Sequence, residues 1–84
     1  MASADKILAK MRRTSAGWGQ ADFEKLYEGF GFNKREGKKH TIYIHPDFPQ
    51  LRDTVARHGS LANGYAASAV ATIGELQRLR GQLP

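Results

Sequence analysis

Cysteine is absent from the 84 residues. That excludes a disulfide framework, a thiolate nucleophile and any cysteine-ligated metal site. Long apolar runs are also missing. The longest fall far short of the roughly 18 residues that a membrane span requires, and no signal-peptide pattern opens the chain, so a cytoplasmic protein is expected. Proline occurs three times, and two of the three, Pro46 and Pro49, bracket one short stretch, "HPDFPQ". That stretch reads as a loop because proline fixes its own backbone and lacks the N–H that a strand or helix needs. Acidic residues are in the minority, with 8 Asp plus Glu against 13 Lys plus Arg, a formal charge of +5.

What is present suffices for one small folded domain. Hydrophobic residues make up 40% of the chain, and one Trp, three Tyr and four Phe supply bulk for a core. The positive excess is local: Lys34, Arg35, Lys38 and Lys39 lie together with only Glu36 opposing them. Such a patch suits a polyanion such as nucleic acid, or an acidic protein. A solvated charged turn fits the same residues. The three histidines, His40, His45 and His58, lack the i, i+4 spacing of a helical zinc pair, and no acidic residue completes a ligand set. No metal or other cofactor is expected.

Periodicity divides the chain into six elements. Ser3 caps a first helix to about Arg13, with Ile7, Leu8 and Met11 on one stripe. "TSAGWG" is a loop, with Trp18 set as a plug over the core. Phe23, Leu26, Tyr27 and Phe30 then recur at i, i+3, i+4 and i+7, with Asp22 and Glu24 in the first turn and Gly31 as the left-handed stop. The period changes to two at Phe32–Glu36, a turn at "EGKK" and a second strand from His40 to His45. A third strand covers Leu51 to Arg57, with Leu51, Asp53 and Val55 on one face. "HGSLANG" turns into a last helix, capped by Asn63 and running to about Arg80, whose stripe is Ala66, Ala69, Val70, Ile73, Leu76 and Leu79. The order helix, helix, strand, strand, strand, helix predicts an α+β fold, a three-stranded antiparallel sheet packed by helices.

"DFEKLYEGFGF", the basic turn, "HTIYIHP", "TVARHG" and "GYAASAVATI" together resemble the HicA family of toxins from type II toxin–antitoxin systems. The resemblance covers roughly Ala21 to Leu79. It implies a double-stranded-RNA-binding-domain-like fold over residues 21–80, with residues 1–20 as an N-terminal helix and loop extension. It also implies an mRNA-cleaving endoribonuclease restrained by a cognate HicB-like antitoxin protein. The family opens its second strand with Gly-Ser-His and closes it with His-Pro. Counting back from His45-Pro46, His40 takes the position of the catalytic histidine. Lys38 and Lys39 stand where the family has glycine and serine, and Ala56 stands where it usually has proline before Arg-His.

The chemistry agrees with that placement. RNA carries its own nucleophile, so cleavage needs a base for the 2′-hydroxyl proton, cations for the developing phosphoryl charge and an acid for the leaving 5′-oxygen. A neutral imidazole at His40 suits the base, and Lys34, Arg35, Lys38, Lys39 and His58 are the candidate RNA contacts. The acid is open between His58 and, less suited by its His-Pro link, His45. A strand-end histidine bonded to backbone is the plain structural alternative for His40. Two other functions compete: an RNA-binding module of the same fold that does not cleave, and a DNA reader using Gln77, Arg78 and Arg80 of the last helix. The scarcity of base-reading side chains on that helix disfavours the second.

Overall fold

A computed structural model describes residues 3–14, 16–56 and 63–81. Three helices, α1 (Ser3–Arg13), α2 (Gln20–Gly29) and α3 (Asn63–Gly81), accompany three strands, β1 (Asn33–Glu36), β2 (His40–Ile44) and β3 (Arg52–Ala56). The fold is α+β, and the strands form one open antiparallel sheet in the order β1-β2-β3. Each strand is slightly shorter than its apolar pattern suggests. Phe32, His45 and Leu51 lie just outside the ladder yet are buried. No helix among the described residues is long and apolar enough to cross a membrane.

Why α2 stops where it does follows from its last residues. Gly31 has φ +93, a conformation that costs glycine little. The Gly31 amide then donates to the Glu28 carbonyl at 3.1 Å and the Phe32 amide to the Tyr27 carbonyl at 3.0 Å. These are the two bonds of a Schellman ending. Its usual apolar contact is present too, as the Tyr27 and Phe32 rings meet edge to face at 5.1 Å. At the other end, Asp22 reaches back to accept the Gly19 amide at 3.0 Å, a carboxylate placed on the positive end of the helix dipole.

Register decides which side chains meet. Lys34 pairs with Tyr43 and Glu36 with Thr41 across β1 and β2, while Tyr43 faces Asp53 and Thr41 faces Val55 across β2 and β3. Because side chains alternate, these residues share the face turned to the helices. Asn33, Arg35, His40, Ile42, Ile44, Arg52 and Thr54 share the opposite face. The β2–β3 connection is a tight turn in which the Leu51 amide donates to the Phe48 carbonyl at 2.8 Å, with Pro49 in the second position.

One apolar cluster joins all the layers. Phe23, Leu26, Tyr27, Tyr43, Val55, Ala69, Ile73 and Leu76 are fully buried. The buried alanines Ala66 and Ala69 keep α3 close to its neighbours, as expected from the small-residue stripe. The N-terminal helix, expected as an extension ahead of residues 21–80, sends Ala4, Leu8 and Met11 into this same cluster. It packs on α2 and α3. Trp18 is half-buried against the core, and its indole N–H donates to the Thr14 carbonyl at 2.9 Å.

The closest approach of α1 to α2 depends on Gly29, where an added Cβ would overlap the Ala4 Cβ. Helix propensity alone favours alanine over glycine by about 1 kcal/mol, yet overpacking costs about 1–3 kcal/mol. Gly29→Ala is therefore expected to lower stability in chemical denaturation. Ala4→Gly in the same chain should recover part of the loss. A stabilised Gly29→Ala single variant would contradict this packing.

Candidate nucleic-acid interface

The site begins where β2 begins. The Gly37 amide donates to the His40 carbonyl at 2.8 Å, closing the β1–β2 hairpin with Lys38 and Lys39 at its tip. His40, Lys38 and Lys39 are all exposed. The cross-strand neighbours of His40 are small, Gly37 on one side and Ala56 on the other. Neither has the bulk to cover an imidazole. A Cβ at Gly37 would approach the His40 carbonyl oxygen to 3.1 Å, so glycine here lets the hairpin close tightly.

The proposed basic contacts divide into two kinds. Arg35 is exposed and lies on the same sheet face as His40, diagonally across the β1–β2 ladder. Lys34 points the other way and is held by carboxylates: Glu24 at 2.5 Å, Glu36 at 3.3 Å and Glu28 at 3.8 Å. The bond to Glu24, with Glu36 adding to it, holds its ammonium above the ordinary lysine range. Its charge is matched within the fold rather than offered beside His40. Arg52, which sequence reasoning left out, shares the face of His40 and is exposed. Alternation would have found it, since it flanks the inward-facing Leu51 and Asp53.

His45 is buried, with only 1% of its surface accessible. Its Nδ1 accepts the Asp47 amide at 3.1 Å, its Nε2 lies 3.2 Å from Arg80 Nη2, and Phe32 and Phe48 pack on the ring at 5.1 and 5.5 Å. It is a structural histidine at the turn and does not face solvent with His40. His58, the other candidate acid and RNA contact, lies outside the described residues. The α3 residues considered for DNA reading are engaged within the fold. Arg78 pairs with Glu75, Gln77 accepts from Arg12 at 2.9 Å, and Arg80 lies on His45. Among the described residues no three of His, Cys, Asp and Glu converge on a point that would hold a metal ion.

The helix side of the sheet fixes the strand that carries His40. The Tyr27 hydroxyl donates to Asp53 Oδ2, as does Ser68 Oγ at 3.0 Å, while Asp53 Oδ1 accepts the Thr54 amide at 3.0 Å. Burial, reinforced by the neighbouring Asp53 charge, pushes the Tyr27 phenol far above its ordinary value. Tyr43 stacks on Tyr27 at 4.6 Å and 17°. Burial, with Glu24 adding to it, pushes Tyr43 up to about 12.

Neither a protein-family model, nor a curated protein, nor a solved structure matches the chain.

The Tyr43 hydroxyl is buried and makes no hydrogen bond, which gives a test with a definite sign. An unfolded tyrosine ionises near 10, whereas the folded Tyr43 keeps its proton to about 12. In that window the unfolded state binds fewer protons, so rising pH favours unfolding. Stability should be full below about pH 10 and fall as pH rises through that window. Tyr43→Phe should make the fall shallower in melting curves taken from neutral to strongly alkaline pH. It should not lower the neutral-pH melting temperature, because no hydrogen bond is lost. An unchanged alkaline slope would contradict the assignment.

Proposed function

We propose that the protein is a HicA-like toxin of a type II toxin–antitoxin system, an endoribonuclease that cleaves mRNA in the cytoplasm until a cognate HicB-like antitoxin neutralises it. The observation that carries this reading is the exposed His40 at the start of the central strand, next to the exposed Lys38–Lys39 tip. The order α2-β1-β2-β3-α3 supports it, being the helix, three-strand meander and helix of a double-stranded-RNA-binding-domain-like fold.

In this mechanism His40 takes the proton of a ribose 2′-hydroxyl, and the oxygen attacks the adjoining phosphorus. The bond to the 5′-oxygen breaks, leaving a 2′,3′-cyclic phosphate on one product. The leaving 5′-oxygen takes its proton from a second acid, for which His58 remains of the two histidines the sequence offers, since His45 is buried. Lys38, Lys39 and Arg35 neutralise the phosphate before and during attack. Every part of this chemistry is available to side chains without a metal ion.

A second reading, a non-cleaving RNA-binding module, has one observation in its favour. The cross-strand neighbours of His40 are Gly37 and Ala56, and neither can donate a proton to the leaving group. The two readings share every binding feature and differ in turnover.

His40→Ala separates them. Loss of a general base is expected to lower the cleavage rate by about 10²–10⁴-fold. RNA affinity, carried by the cations, should change little, and a melting curve should show the variant folded. Growth arrest on expression should disappear with the cleavage. Lys38→Glu with Lys39→Glu should instead weaken binding and reduce the salt dependence by about 0.7 per lost phosphate contact. Cleavage and toxicity that persist in folded His40→Ala overturn the role of His40. A native chain that binds RNA without cleaving it supports the second reading.

A further inference from the structure

The outer edge of the sheet carries a depression that the proposed reaction does not use. β3 and the first turns of α3 border an open depression of about 320 Å³ lined by Asp53, Thr54, Gly64, Tyr65 and Ser68. Thr54 pairs with Ile42, and His40 lies two residues back on the same strand and face, opposite Ala56. That diagonal separates neighbouring side chains by about 7–8 Å. Thr54 alone among the lining residues shares that face, so a nucleotide next to one held at His40 reaches the Thr54 rim of the depression and its base turns over the sheet edge to enter.

Its chemistry selects what enters. The Tyr65 ring is half-buried and packed against the core, so it is a fixed aromatic wall. Asp53 Oδ2 already accepts from Tyr27 and Ser68, whereas among the described residues Oδ1 accepts only the Thr54 amide. A carboxylate oxygen accepts about two hydrogen bonds, so Oδ1 keeps one acceptor site. The carboxylate repels a phosphate and attracts an N–H donor. An added Cβ at Gly64 would meet nothing within 4 Å, so the space beside it is open.

We propose that this pocket holds one base of bound RNA, a base with an exocyclic amino group, stacked on Tyr65 and donating to Asp53 Oδ1. Adenine, cytosine and guanine carry such an amino group, while uracil has one ring N–H flanked on both sides by carbonyl oxygens that the carboxylate repels. The pocket makes RNA binding base-selective, while the basic turn supplies affinity without regard to sequence. This rests on the reading that the chain binds RNA, and it does not depend on cleavage.

The test uses the full chain carrying His40→Ala and three labelled RNA octamers, oligo-A, oligo-C and oligo-U, followed by fluorescence anisotropy. Oligo-A and oligo-C are expected to bind about fivefold or more tighter than oligo-U, since a hydrogen bond to a charged acceptor contributes at least that much. Tyr65→Ala should remove most of the preference. Gly64→Leu, which fills the open space without removing any contact, should do the same while melting like the parent. Both should keep the salt dependence set by the basic turn. Equal binding of the three octamers, or a preference that survives Gly64→Leu, overturns the pocket. If the preference is present but the native chain never cleaves RNA, the ribonuclease reading fails and the pocket stands. If RNA is cleaved without any base preference in binding, the pocket fails and the ribonuclease reading stands. A chain that binds none of the octamers overturns both.

Discussion

A single carboxylate ties the sheet to two helices. Asp53 sits on β3 with its side chain on the helix face, where it accepts hydroxyl bonds from Tyr27 of α2 and Ser68 of α3. A half-buried anion is costly unless it is hydrogen-bonded, and here both donors come from different elements. The bonds therefore specify where α2 and α3 cross β3, which apolar contacts alone leave free to slide. Tyr27 then stacks on Tyr43 and meets Phe32 edge-on. The position of the central strand is thus fixed from behind by rings whose own placement depends on Asp53.

The function proposed for the chain depends on that fixed strand. A base must be held within hydrogen-bond reach of its proton, and His40 has no large cross-strand neighbour to hold it. Its placement comes from the backbone of β2, anchored by Thr41, Tyr43 and His45 on the helix side. Charge is segregated in the same way. Lys34, on the anchored face, is matched by Glu24, Glu28 and Glu36. Arg35, Arg52 and His40, on the other face, are exposed. One face is used for stability, and the other presents cations and an imidazole to solvent. The depression at the edge of β3 borders both, since Asp53 belongs to the first face and Thr54 to the second.

Much of the fold was legible in the sequence because it is written in local patterns. The 3.6-residue stripe of Phe23, Leu26 and Tyr27, the glycine at Gly31 and the alternation of His40 to Ile44 each give an element without tertiary information. Asp53 was placed correctly on a face with Leu51 and Val55, where it is a half-buried acceptor. Its donors were not legible, because Tyr27 and Ser68 lie 26 and 15 residues away in the chain. The separation of Lys34 from Arg35 is of another kind, since alternation along the expected strand already implies it. Adjacent residues in a strand point to opposite faces, so a run of cations in sequence is not a patch in space. The burial of His45 was equally non-local, set by Phe32, Phe48 and Arg80.

The central claim is that a ribose 2′-hydroxyl, activated at His40, is the nucleophile. The most direct measurement gives the native chain two oligonucleotides in excess chelator. One is RNA, and the other has the same sequence with 2′-deoxyribose at the mapped cleavage position. The account predicts that the RNA is cut to a 2′,3′-cyclic phosphate, identified by mass, and that the deoxy-substituted strand stays intact at that position. Cutting of the deoxy position, or activity that disappears in chelator and returns with magnesium, would contradict it.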